Sequence, residues 1–187
     1  MRFVFDSRKT AQAAAYVVSL NGGKLNYMVL IKLLYLSDRQ ALLETGAPIT
    51  GDRMVSMPHG PVLSCTYDLI NMGAPEQPGT SPWYEYLTEP TAGYEVRTKK
   101  EAETDELSQY ELRLLRETFE KFGRMDKWGL RDYTHTLPEW VDPQGSSLSI
   151  DPVNILRSDG RPEVEVEELV RAAEEVWFMR TLDKSPR

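Results

Sequence analysis

The stretch NYMVLIKLLYLSDRQALLE, residues 26–44, constrains the fold more than any other part of the chain. Its apolar residues surround almost the whole helical circumference from Met28 to Leu36, and a helix that is apolar all round has to be enclosed by other elements. Asn26 can cap its start, and Gly46 lies just past its end. Three charges interrupt it. Lys32 and Arg39, seven residues apart, share one face, and Asp38 lies on another; each needs a partner once the helix is enclosed. Asp38 is expected to hydrogen-bond to the HGPV turn at 59–62 or to Arg39 of its own helix.

The flanking segments supply the enclosure. Asp6 or Ser7 can cap a first helix in which Ala11, Ala14, Ala15 and Val18 recur at helical spacing, and this small-residue face allows close approach by the 26–44 helix. GAPITGDRMVSMPHGPV, residues 46–62, reads as a structural corner: Gly51-Asp52 permits a tight turn, Met54 to Met57 runs extended, and Gly60-Pro61 starts the next helix with Pro61 at its first position. In that helix Val62, Cys65, Leu69 and Met72 form the inward stripe. Prolines 75, 78, 82 and 90 exclude long regular structure over 74–106, where YEVRT at 94–98 is the one strand-like pattern. Ser108 and Glu111 form a capping box, with Leu107 and Leu112 placed as a hydrophobic staple, opening a helix that Gly123 ends. A short helix over 127–135, the link HTLPEWVDP and a short helix from Asp151-Pro152 to Arg157 follow. The last helix, about 163–181, has a stripe of Val166, Leu169, Val170, Ala173 and Trp177. These patterns predict a mainly α fold, a single compact multi-helix domain over 1–187, with a small β-hairpin if 53–57 pairs with 94–98.

Charge and composition exclude several classes of function. The net charge of −7 opposes a phosphate backbone, and no Lys/Arg cluster exceeds a pair such as Lys99-Lys100, so no nucleic-acid partner is expected. No run approaches the ~18 apolar residues of a membrane span. The single cysteine, Cys65, has no internal partner, which fits a reducing cytoplasm. A cysteine nucleophile would need His59 or His135 as base, but Cys65 falls on a helical stripe where a thiol is inert. Two histidines alone make a poor metal site without a carboxylate ligand, and GAPITGD lacks the lysine and hydroxyl of a phosphate loop. No catalytic residue, cofactor or metal is therefore expected. His59, Gly60 and Pro61 read as structural, with Gly60 in a conformation costly for other residues and His59 bonded to backbone. His135 and Trp140 are expected near the core, holding the short helix against the capping-box helix. The aromatics of PWYEYL, Trp83, Tyr84 and Tyr86, sit in a segment that propensity leaves irregular, and an exterior position would make them partner anchors.

KLLYLSDRQALLETGAPITGDRMVSMPHGPVLSCTYDLI resembles the signature of the Panacea domain, the family that includes SocA-like antitoxins. The shared features are a KLLY-type helix followed by Asp, a G-x-P-[IL]-[ST]-G-[DE] turn, an extended apolar piece and an HGPV-type segment. DELSQYELRLLRETFEKFGRMDKWGLRDYTHTLPEW is similar to the family's second half: an L-S-x-x-E helix, a short helix ending in T-H and a closing P-x-W. The likeness covers about residues 8–157, and Lys32, Tyr35, Asp38, Gly51, Asp52, His59, Gly60, Pro61, His135 and Trp140 fall on its motifs. The resemblance implies an antitoxin that binds and neutralises a cognate toxin protein, and one family member is understood as an adaptor delivering its toxin to the ClpXP protease. The competing readings are an interaction protein of phage or mobile-element origin without a toxin, and an enzyme using His59 or His135.

Overall fold

Enclosure of the 26–44 helix organises the structure. In the computed structural model, which describes residues 1–71, 73 and 81–182, α1 (Ser7–Leu20) and strand β1 (Lys24–Asn26) lead into α2 (Tyr27–Thr45), capped by the Asn26 side chain accepting from the Met28 N–H. Leu30, Leu33, Leu34, Tyr35 and Leu42 of α2 are fully buried. Around it lie α5 (Gln109–Phe122), α6 (Lys127–His135) and α7 (Pro152–Ser158), with α8 (Glu163–Leu182) packed on α7. Asp6, Ser108, Asp126 and Asp151 each cap their helix, and the Ser108/Glu111 capping box forms as its sequence implies. The fold is mainly α, and among the described residues no helix is long and apolar enough to cross a membrane.

The two extended segments read from the sequence are strands but do not pair with each other, and three further strands form. β2 (Met54–Met57) and β4 (Glu95–Arg97) do not form a hairpin together. β2 pairs antiparallel with β3 (Gly60–Leu63) through a turn at Pro58-His59, and its other edge takes β5 (Leu148–Ser149). β4 instead pairs with β1, Leu25 opposite Val96. Two residues suffice to reverse β2 onto β3, whereas pairing with β4 would have closed a loop of more than thirty residues. Pro61 is consequently an edge-strand residue opposite Ser56, where its missing N–H costs nothing, and α3 (Ser64–Asn71) begins three residues later than expected. Of the stripe expected on that helix, Val62 is buried in β3, Cys65 and Leu69 are half-buried, and Met72 lies outside the described residues.

The aromatic cluster of PWYEYL is also corrected. Residues 82–86 form a short helix, α4 (Pro82–Tyr86), that packs on α1, which also contacts α2 as expected. Trp83 and Tyr86 are fully buried and Tyr84 nearly so. Gln12 of α1 reaches the Tyr86 hydroxyl at 3.4 Å and donates to Asp105 Oδ1 at 2.6 Å. The Tyr86 hydroxyl donates to Glu103 at 2.6 Å and the Tyr84 hydroxyl to the Leu69 carbonyl at 3.1 Å. These rings are core, not exterior anchors. Trp83→Ala should lower the unfolding free energy by about 3–5 kcal/mol, measured by urea denaturation, and an unchanged midpoint would contradict this packing.

Candidate functional site

The buried charges of α2 are answered on two sides. On one, Asp38, fully buried, accepts from the Ile49 and Thr50 N–H groups at 3.0 and 3.1 Å through one carboxylate oxygen and from the Thr50 hydroxyl through the other. Its partner is thus the 46–52 turn, not the HGPV segment or Arg39. The turn is held in place by further bonds: the Asp52 N–H donates to Thr50 Oγ1 at 3.1 Å, and the Asp6 N–H to the Thr50 carbonyl at 3.0 Å. Gly51 stands at φ +68 against the Val4 carbonyl, so a Cβ there would collide with backbone. Asp52 is itself buried and accepts from the Cys65 N–H at 2.9 Å, the Thr66 N–H at 2.7 Å and the Thr66 hydroxyl at 2.7 Å. It caps α3 from twelve residues upstream, supplying the first-turn acceptor that no local residue provides. Burial and the Asp52 charge push the Cys65 thiol up, consistent with an inert sulfur.

On the other side, Lys32, Tyr35 and Arg39 form a polar stripe at i, i+3 and i+7 that faces α6 and the segment after it. The buried Glu139 carboxylate accepts from the Tyr35 hydroxyl at 2.8 Å and from Arg39 Nε at 2.7 Å. Burial and the adjacent Glu139 charge hold the Tyr35 phenol well above its ordinary value. Glu139 lies between Pro138 and Trp140, and its role as the counterion of Arg39 escaped sequence reasoning because the two are 100 residues apart. Lys32, 2% exposed, has no hydrogen-bond partner for its Nζ. Burial, and then the charge of Arg131, lower it from 10.5 to about 8.

Motif residues from both halves of the chain converge on that lysine. Gly60 adopts φ +93, and a Cβ there would lie 2.6 Å from both Lys32 Nζ and Thr134 Oγ1 and 3.3 Å from the His135 ring. His135 stacks on Trp140 with ring centroids 3.8 Å apart, and Trp140 Nε1 donates to the Met57 carbonyl at 3.2 Å. This pair therefore holds the end of α6 against β2, while Phe122 and Tyr133, at 4.7 Å, make the contact between α5 and α6. Burial and the nearby Lys32 charge lower the His135 pKa. His59 is exposed and stands edge-on to Trp128 at 6.1 Å, rather than bonding to backbone as expected. Among the described residues no group of three or more His, Cys, Asp or Glu side chains is placed to hold a metal ion. Trp83, Tyr84 and Tyr86 belong to the α1 layer and take no part in this convergence.

A cavity of about 390 Å³ opens beside Lys32 and Gly60, walled by Tyr27, Tyr67, Tyr94 and Trp128. Trp128 and Tyr94 are about half exposed at its rim, and the Lys127 ammonium lies 4.9 and 5.4 Å from their ring centres. Tyr94 holds φ +62, uncommon for a bulky side chain, while its carbonyl accepts from the Tyr27 N–H at 2.8 Å. Neither rim aromatic was distinguished in the sequence, since Tyr94 falls in the strand-like YEVRT pattern and Trp128 on the polar start of a short helix. A larger cleft, about 530 Å³, lies between residues 2–9, the 45–51 turn and α8.

Against models of protein families, residues 30–141, more than half of the chain, match the family described as antitoxin SocA-like, Panacea domain. No curated protein and no solved structure matches. The matched span contains the whole Lys32–Tyr35–Arg39 stripe, the Asp38 and Asp52 turn, Gly60, His135 and Glu139.

Two tests follow from this geometry. Asp38→Ala leaves three donors unanswered and should cost at least about 3 kcal/mol, whereas Asp38→Asn keeps the shape and costs less. Burial first, and Asp52 second, push Asp38 up to about 7 against its hydrogen bonds. Because the folded state then holds the proton more tightly than the unfolded chain, wild-type stability should fall as pH rises from the ordinary carboxylate range to about 7, and Asp38→Asn should flatten that slope. Gly60→Ala should lose about 1–3 kcal/mol from backbone strain alone, read as a lower thermal midpoint; a stabilised variant would refute the close approach.

Proposed function

This chain belongs to the family of SocA-like antitoxins with a Panacea domain, and from that premise we propose that it neutralises a cognate toxin protein by binding it directly. The observation that carries the reading is the family match itself, which supports an antitoxin-type function. The disposition of side chains agrees with it. Asp38, Asp52, Arg39 and Glu139 are consumed in internal hydrogen bonds, so they serve the shape of the domain and leave recognition to other residues.

The aromatic rim of Tyr94 and Trp128 is the proposed toxin-facing surface, in place of the buried Trp83, Tyr84 and Tyr86. Exposed aromatics beside a pocket, with cationic neighbours, match the composition of binding hot spots. Neutralisation by covering the toxin needs no turnover. Delivery of the bound toxin to ClpXP is a finer version of the same reading, in which the complex also engages the protease.

Co-expression with the product of the neighbouring gene tests this. Wild type should rescue growth, a Tyr94→Ala/Trp128→Ala variant should lose rescue while keeping its circular dichroism and melting profile, and His59→Ala should retain it. Toxicity that no form of the protein relieves would refute the antitoxin reading. Rescue by the wild type that vanishes in cells lacking ClpXP would assign the adaptor route, and rescue that persists there would assign occlusion.

A further inference from the structure

Among the described residues, the buried Lys32 ammonium has no hydrogen-bond partner. The cost of desolvating a cation is recovered only when an anion or several acceptors meet it. Arg39, on the same stripe of α2, has Glu139; Lys32 has neither a carboxylate nor a hydroxyl bonded to its Nζ. Arg131 of α6, which acts on it, and Lys127, in the wall of the adjoining cavity, carry its own sign, and the His135 ring, held below its ordinary pKa, lies beside Gly60. Among the described residues no Asp or Glu lines that cavity, in a chain whose net charge is −7.

Gly60 connects the lysine to the cavity. It forms part of the cavity wall, and the place where its side chain would be is 2.6 Å from Lys32 Nζ, so no side chain stands between the two. The remaining walls are mostly apolar and aromatic, including Ile31, Val62, Tyr67 and Trp128, with His59 and Lys127 as polar members. Lys32 is the buried cationic donor of this chamber, while Lys127 lies against the rim rings of Trp128 and Tyr94 at 4.9 and 5.4 Å; a single buried donor among aromatic walls suits a carboxylate on an apolar body.

We propose that this cavity is a binding site for a carboxylate carried on an aromatic or aliphatic body, with the carboxylate paired to Lys32 and the body held between Tyr67 and Trp128. The carboxylate has two possible sources, a free organic acid or an acidic side chain of a bound toxin, and the chemistry at Lys32 is the same for both. Binding moves the lysine back toward its ordinary protonation, because an opposite charge favours the ammonium.

The test is a titration of the whole chain with 3-phenylpropionate and, separately, with its uncharged amide, followed by NMR at the Trp128 indole and the lysine ε-methylenes. The acid should shift both signals, raise the Lys32 titration midpoint and bind at least about tenfold more tightly than the amide, a difference of about 1.4 kcal/mol. Lys32→Met, which keeps the volume of the stem and removes the charge, should abolish acid binding; Trp128→Ala, at an exposed position, should weaken it without unfolding the chain. If 3-phenylpropionate also displaces the toxin and Lys32→Met weakens toxin binding about tenfold, the toxin supplies the carboxylate. If toxin binding is indifferent to both, the occupant is a free acid. Equal binding of acid and amide, or no binding of the acid together with toxin affinity unaffected by Lys32→Met, overturns the proposal. Absence of any toxin complex with the wild type would count against the proposed function instead, and the acid titration would still decide this site.

Discussion

A carboxylate with no solvent exposure is tolerated only where its oxygens accept hydrogen bonds, and Asp38 meets that condition through residues 49 and 50. To reach it the chain must leave α2 at Gly46, double back within a few residues and present two consecutive N–H groups to the helix it has just left. Thr50 then passes the constraint on, donating to Asp38 and accepting from the Asp52 N–H. Asp52 in turn fixes the start of α3 through Cys65 and Thr66. One buried charge thus sets the direction of the chain for the following twenty residues, and with it the position of the β2–β3 hairpin that carries Gly60.

The opposite face of the same helix shows the contrast. Tyr35 and Arg39 converge on Glu139, a fully answered network that ties the second half of the family-matched region to the first. Such a network rigidifies because every member is satisfied. Lys32, one turn away, is enclosed by Gly60, Thr134 and His135 yet has no acceptor. Structural ion pairs and functional groups alike perturb a lysine, but an orphaned one next to a chamber is the signature of a group held ready for something outside the chain. The acidic surface and the cationic chamber have opposite signs, so the chamber is electrostatically distinct from its surroundings.

For a family whose members are antitoxins, this division is physically sensible. The polar motif residues are bonded internally, and on the proposed reading recognition falls to the exposed aromatics.

Much of this was legible in the residues themselves. The buried α2, the Asn26 and Ser108 caps, α6 at 127–135, the Asp151 cap and the conformation of Gly60 all follow from periodicity and local hydrogen-bond chemistry acting over a few residues. The need of Lys32, Asp38 and Arg39 for partners was legible too, but the partners were not. Ile49 and Thr50, Glu139, and the absence of any acceptor at Lys32 depend on contacts between segments far apart in the chain. The same holds for β4 choosing β1 over β2 and for the burial of Trp83 in the core: propensity describes what a segment can be, and packing decides what it meets. Sequence alone determined that the charges of Lys32, Asp38 and Arg39 in α2 would be enclosed and in need of an answer. Tertiary structure decided who answers them, because hydrogen bonds and close packing between distant residues are settled only when the whole chain is placed together.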